Sequence, residues 1–249
     1  MGLKDKAVLE PGGLRNLSSI EFSAIPDSEA DQKLVHRWVL DDLNGSVEDF
    51  VGSADGTNNG VTSVSGDYVG GAAGEGDGVD DHILTSTWGS WWSDNQHDHA
   101  VAFTIDGTPS DGNVIGHTDD NGENQYHVGF GNFPANDEQL SIFIRGSSSD
   151  SVTMEVDDVI STPARVVLNR TGSADTDFKF WVNQSDPPQT YTNTQGMASA
   201  SAFDKPVALF GKNRSDGVTD HLGAIVDDIC IYDSQLTQSE IESYDNPWS

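Results

Sequence analysis

Two adjacent carboxylates, Asp227 and Asp228, interrupt an otherwise nearly continuous apolar run from Gly223 to Tyr232. A carboxylate inside such a run is costly unless it is paired or binds a cation. A second acidic stretch, Glu155-Val156-Asp157-Asp158-Val159-Ile160, gathers three carboxylates within four positions. His97-Asp98-His99, with His82 upstream, offers ligand types for a transition metal. Alternation places His97 and His99 on one face of an extended segment and Asp98 on the other, which reads as surface histidines. Half of the six tryptophans, Trp88, Trp91 and Trp92, share one Gly/Ser-flanked stretch. Flat indoles there could stack on sugar rings, seat a partner's apolar patch, or close one end of a core. Asp119, Asp120 and Asn121 open a polar loop suited to hydrogen-bonding hydroxyls, or to solvation alone. No Gly-x-Ser-x-Gly elbow, phosphate-binding loop or dinucleotide fingerprint is present.

The elements that must position these groups are bounded by composition. The 249 residues carry 41 Asp plus Glu against 12 Lys plus Arg, a formal charge of −29. That balance excludes an electrostatic nucleic-acid binder. With 35% hydrophobic residues and 26 glycines the chain affords a core. The acidity is spread along the chain, and Lys is as scarce as Arg, six of each. At about 1 M salt charges are screened over about 3 Å, so this surface suits molar salt, as in halophilic archaea and their viruses. The plainer alternative is a soluble acidic protein. Cys230 is the only cysteine, so no intramolecular disulfide forms. No apolar run reaches signal-peptide or membrane-span length, which implies a chain made in the cytoplasm without membrane insertion. Work outside the cell would need a virion or a lysing host to deliver it.

Residues 1–34 hold 4 of the 12 basic residues and are broken by Pro11-Gly12-Gly13 and Ile25-Pro26-Asp27, so they read as an N-terminal arm for assembly or anchoring. Residues 35–249 form the main domain. From His36 onward, short runs of period two rich in β-branched and aromatic residues alternate with Gly, Asn, Asp and Ser clusters. Ten such runs, among them His99 to Ile105, Gln125 to Phe130 and Leu140 to Arg145, predict a large β-sandwich. The run ending at Tyr232 reads as a central strand. Thr237 and Glu240 then form a capping box for one short C-terminal helix.

Three motifs in order, Arg37-Trp38-Val39-Leu40-Asp41, the Gly/Asn-rich loop from Asp49 to Val61 with Gly78-Val79-Asp80-Asp81, and Ile225-Val226-Asp227-Asp228-Ile229-Cys230-Ile231-Tyr232, resemble the laminin-G-like, concanavalin A-like lectin-glucanase jelly roll. The resemblance covers residues from about 36 to the C-terminus. Asp228 stands for the family's Glu and Cys230 for its Arg, and two extra residues lie between Asp49 and Asp55. The resemblance implies an all-β jelly-roll fold and a structural calcium ion. Asp49 and Asp227 transfer as side-chain ligands, with backbone carbonyls near Asn58 and Asn59 completing the shell. A hard divalent ion takes six to eight oxygens, and a Gly/Asn loop can turn carbonyls toward one point.

Glycanases of the same fold resemble one another in a Glu-x-Asp-x-x-Glu strand whose outer carboxylates form a retaining pair. Glu155 begins that pattern, but Ile160 occupies the position of the second Glu, so the pair is incomplete. The expectation is a non-catalytic surface adhesion or assembly module of a halophilic virion. Its expected partners are a glycan or cell-surface receptor, other virion proteins and further copies of itself. Trp88, Trp91, Trp92, Asp119, Asp120 and Asn121 are its candidate ligand contacts. The alternatives are a polysaccharide hydrolase and a purely structural virion component.

Overall fold

The computed structural model describes residues 32–88, 98–107, 109, 111–118, 125–131, 139–147, 150–156, 163–171, 178–183, 190–194 and 206–243. Along these residues run β1 Leu34–Trp38, β2 Ser46–Val47, β3 Gly56–Asn59, β4 Thr62–Ser65, β5 Ala72–Glu75, β6 His82–Thr85, β7 Asp98–Asp106, β8 Gly112–Thr118 and β9 Gln125–Phe130. They continue with β10 Leu140–Ser147, β11 Asp150–Val156, β12 Ala164–Thr171, β13 Phe178–Val182, β14 Thr190–Thr194, β15 Ala208–Leu209, β16 Lys212–Arg214, β17 Gly217–Thr219, β18 Ile225–Tyr232 and α1 Gln238–Ser243.

The strands form two predominantly antiparallel sheets. One has seven strands in the order β13-β12-β7-β18-β5-β4, with β1 also on β18. The other has eleven, ordered β14-β11-β10-β9-β8-β15-β6-β3-β2, with the β16–β17 hairpin attached at β8. β18 is central, flanked by β7 on one side and by β1 and β5 on the other, as its apolar sequence requires.

Alternation explains the core. Val101, Phe103 and Ile105 of β7, Val166 and Leu168 of β12, and Ile229 and Ile231 of β18 turn inward. They meet Tyr126, Val128 and Phe130 of β9 and Leu140, Ile142 and Ile144 of β10. The opposite face of the seven-stranded sheet carries its own apolar cluster, Ala100, Ala102, Val167, Trp181, Cys230 and Tyr232, roofed by Leu236 and Ile241 of the α1 segment. The predicted capping box holds this roof in place: Thr237 N donates to Glu240 Oε2 at 2.6 Å and Glu240 N to Thr237 Oγ1 at 3.2 Å. Lys33 Nζ adds bonds of 2.8 and 2.9 Å to the same carboxylate. Lys33 and Leu34, placed in the arm by sequence, therefore already belong to the sandwich, since Leu34 pairs with Tyr232. The rest of the arm lies outside the described residues. Among the described residues no helix is long and apolar enough to cross a membrane.

Candidate functional site

The first region to consider is the junction of β1, the 49–55 turn and β18, where the sequence places a calcium site. Asp49 is 5% exposed. Its Oδ1 accepts from the N–H groups of Arg37 (3.0 Å), Val51 (3.3 Å) and Gly52 (2.9 Å). Its Oδ2 accepts from Ala54 N at 2.9 Å and from His36 Nδ1 at 2.5 Å. Burial would push the carboxyl up, but the His36 and backbone donors outweigh it and hold it down at about 2. Gly52 is needed here, because a Cβ would lie 2.4 Å from both Asp49 Oδ2 and His36 Nδ1.

Asp227 is engaged elsewhere. Its Oδ2 accepts from Val69 N at 2.7 Å and its Oδ1 from Asp228 N at 2.7 Å. Asn58 spends its amide N–H groups on the carbonyls of Leu43 and Val61, both at 2.8 Å, and Asn59 Nδ2 donates to Thr57 O. Asn58 and Asn59 pair with β6 in the larger sheet, whereas Asp227 pairs with Thr104 of β7 in the smaller one. The proposed ligands thus serve separate hydrogen-bond sets. Asp49, ringed by five N–H donors, presents no lone pair to a cation, so Asp49 and Asp227 do not fit as joint ligands of one calcium ion.

A different cation fills the role. Asp228, 2% exposed, accepts from Arg37 Nε at 2.7 Å and from Arg165 Nη1 at 3.0 Å. Burial acts to raise this carboxyl, yet Arg165 and Arg37 together keep it below the usual range. A one-residue bulge between Asp227 and Cys230 makes the geometry possible, with Asp228 at φ 48°. Asp227 goes the other way: burial and the neighbouring Asp228 charge push it up to about 7. This answers the question posed by two carboxylates in an apolar strand. One is ionised between two guanidinium groups, and the other is raised to about 7 and takes up its proton below that pH.

Trp88, expected as a ligand contact, is instead 2% exposed. Its Nε1 donates to Thr85 Oγ1 at 3.0 Å and its ring packs on Trp38 and His36, so the plainer reading of an end plug holds for it. Trp91, Trp92, Asp119, Asp120 and Asn121 lie outside the described residues. His99, expected at the surface, is fully buried with Nε2 2.9 Å from Tyr126 Oη. Asp77, Asp80 and Asp81 bring one carboxylate oxygen each within 4.8 Å of one another. Asp77 Oδ1 accepts from Val79 N at 2.8 Å and Asp80 N at 3.3 Å, while Asp77 N donates to Asp81 Oδ2 at 3.0 Å, so the cluster closes its own turn.

The second region is the outer face of the eleven-stranded sheet, which carries no helical roof among the described residues. Because Tyr126, Val128 and Phe130 point into the core, Gln125 and His127 stand on the opposite face. On β10 the same parity sets Ser141, Phe143 and Arg145 on that side, with Ser141 itself buried. The ladder sets them in rows, with Gly116, His127 and Phe143 in one and Thr118, Gln125 and Arg145 in the next. Phe143, Gln125 and Arg145 are partly exposed. The His127 and Phe143 rings lie 5.4 Å apart and tilted by 35°, and His127 Nε2 pairs with Thr118 Oγ1 at 3.2 Å. Gly116 leaves room for the β16 hairpin to lie on the sheet, since a Cβ would meet Gly211 O and Lys212 Cα at 2.6 Å. Burial, then the charges of Lys212, His117 and Arg214, hold His127 well below the ordinary histidine range. The face therefore combines a half-buried aromatic ring, neutral hydrogen-bonding groups and a cationic wall. Sequence inspection passed over these residues, although the alternation in β9 and β10 and the cluster Lys205, Lys212 and Arg214, with no carboxylate between them, were there to be read.

Fold and faces together define an all-β sandwich of two sheets, sealed by a helix on one outside and polar on the other. No family model and no curated protein sequence matches the chain. Among solved structures it is similar to domain 4 of AbnA, a GH43 extracellular arabinanase from Geobacillus stearothermophilus in complex with arabinotriose, with a TM-score of 0.59 and 17% identity over 84% of this chain and 96% of that one. It is also similar to the binding domain of Paraclostridial Mosquitocidal Protein 1 (TM-score 0.58, 12% identity, 86% of this chain and 52% of that one). A third likeness is to Trypanosoma rangeli sialidase (TM-score 0.56, 15% identity, 85% and 32%). The chain thus spans about half of the second of these and a third of the last. At such identities the likeness is one of fold.

Proposed function

We propose that the protein is a non-catalytic carbohydrate-binding module that serves as a surface adhesion or assembly part of a halophilic virion. The observation that carries the carbohydrate reading is the outer face of the larger sheet, where the partly exposed Phe143 ring stands beside the hydrogen-bonding side chains of Gln125 and Arg145. Sugar rings bind by such pairing of an aromatic face with polar groups at its rim. The arabinotriose bound by the similar arabinanase domain, 96% of which this chain covers, supports the same reading. The halophilic virion setting rests on the charge of −29 and on the basic residues gathered in 1–34.

Calorimetric titration with arabinotriose and a panel of longer oligosaccharides in 2 M KCl tests the site. Binding that falls about tenfold in Phe143→Ala, with an unchanged circular dichroism spectrum, is the expected result. Binding indifferent to Phe143 would move the site elsewhere, and a blank panel would remove the carbohydrate reading.

A hydrolase is the second reading, because Glu155 pairs with Ser141 and so enters the ladder of the same sheet. Reducing-end release that vanishes in Glu155→Gln would establish it. A lone carboxylate does not make a retaining pair, and we expect no release.

A further inference from the structure

We infer that the glycan bound on the outer face of the eleven-stranded sheet is anionic, carrying carboxylate or sulfate groups that contact Lys212, Arg214 and Arg145. The inference rests on the carbohydrate reading of that face and adds the class of sugar. Its ground is the distribution of a scarce resource. Only 12 cationic side chains serve a chain of charge −29. Within the frame, Lys33 is spent on Glu240, Arg37 and Arg165 are spent on Asp228, and Lys179 stands exposed on β13 of the other sheet. Arg170 is fully buried.

Three others meet at one face. Lys212 and Arg214 alternate with Asn213 on β16, which lies over Gly116 beside His127. Arg145 follows Phe143 by two positions on β10 and pairs with Gln125, so it stands on the same side of the sheet. Within 205–214, Lys205, Lys212 and Arg214 occur with no carboxylate. Arg214 has one ion pair, Nε to Asp216 Oδ1 at 3.6 Å, with side chains 46% and 71% exposed. A contact so open to water adds little stability and yields readily to a ligand anion. Lys212 is tied to Asp220 and keeps that wall in place.

Molar salt sharpens the argument. Over a screening length of about 3 Å, distant charge neither steers nor repels a ligand. Recognition of an anion must then come from direct charge-assisted hydrogen bonds, for which a guanidinium fork is the suited donor. An otherwise acidic surface leaves few other places for such a ligand to settle.

The test compares three probes of equal length by calorimetry in 2 M KCl: trigalacturonate, a sulfated trisaccharide and arabinotriose. We expect at least one anionic probe to bind tenfold or more tightly than arabinotriose, and the better of the two to identify carboxylate or sulfate as the source of charge. In Arg214→Gln that preference should fall to near unity, and in the charge-reversed Arg214→Glu it should invert; Arg214 is exposed enough for both changes to leave folding intact. Equal affinity for all three probes, or a preference unchanged in both variants, overturns the inference. If arabinotriose still binds and Phe143→Ala still weakens it, the carbohydrate reading stands without the anionic one. If no probe binds, both fall.

Discussion

Arg37 Nε donates to Asp228 Oδ1 at 2.7 Å across 191 positions of sequence, while the Arg37 main-chain N–H donates to Asp49 Oδ1 at 3.0 Å. One residue of β1 therefore holds the loop near the front of the chain and the bulge of the closing strand. The motifs that suggested a shared calcium ion do come together near β1, but a guanidinium and a row of backbone N–H groups supply the positive partners. Several consequences are measurable.

Chelation comes first. A structural ion held at 100 times its dissociation constant adds about 2.7 kcal/mol, or roughly 5–10 °C of melting temperature at this size. Because Asp49 is saturated by N–H donors and Asp227 belongs to a separate hydrogen-bond set, EGTA should shift the melting temperature by less than about 1 °C. A fall of several degrees, restored by added calcium, would contradict the assignment of these carboxylates.

Removing one guanidinium leaves Asp228 buried with half its partners. Arg165→Met should cost about 3–5 kcal/mol in urea unfolding, the range for breaking a buried ion pair. Arg165→Met combined with Asp228→Asn should recover part of that loss. A double variant no better than the sum of the singles would show that the two side chains are not coupled.

Stability should respond to pH in two windows of opposite sign. Asp49 has a folded value near 2, below the unfolded value near 3.8, so its contribution is present above pH 4 and is lost as pH falls toward 2. Asp227 is raised to about 7, so its folded form binds a proton that the unfolded form releases; stability from this group is full below pH 4 and declines as pH rises to 7. The carboxyl carbon resonance of Asp227 should titrate near pH 7 while that of Asp228 stays ionised above pH 4. An Asp227 midpoint below 4.5 would refute the second window.

Gly116→Ala drives a methyl group into the backbone of Gly211 and Lys212. The β16–β17 hairpin must lift, at a cost of about 1–3 kcal/mol, and oligosaccharide affinity should fall with it. Affinity retained at wild-type strength would detach the hairpin from the site.

The melting temperature should drop on dialysis from molar to millimolar salt, because like charges then repel across the surface. A constant or rising value would mean the acidity serves solubility alone.

Much of the sandwich was legible in the alternation of its long strands: β9 spans the residues its pattern marks, and the Thr237–Glu240 capping box forms as its spacing requires. The short strands β2 to β5, β16 and β17 were not, since Gly56-Thr57-Asn58-Asn59 or Lys212-Asn213-Arg214 have neither apolar period nor β-branched runs; their pairing comes from neighbours already in place. The junction at Asp49 was invisible for another reason. Four of its five donors are main-chain N–H groups, which every residue but proline carries, and a motif cannot tell a carboxylate that waits for a metal from one already filled. Trp88 shows the same limit, because an indole packs on Trp38 as readily as it stacks on a sugar.

Crystals grown with an oligosaccharide that binds in solution give the most direct test of the central claim. Density for the sugar should lie on the outer face of the eleven-stranded sheet, against Phe143 and beside the Lys212–Arg214 strand. A sugar seated instead at the Asp77–Asp81 turn, or on the face roofed by α1, would contradict it.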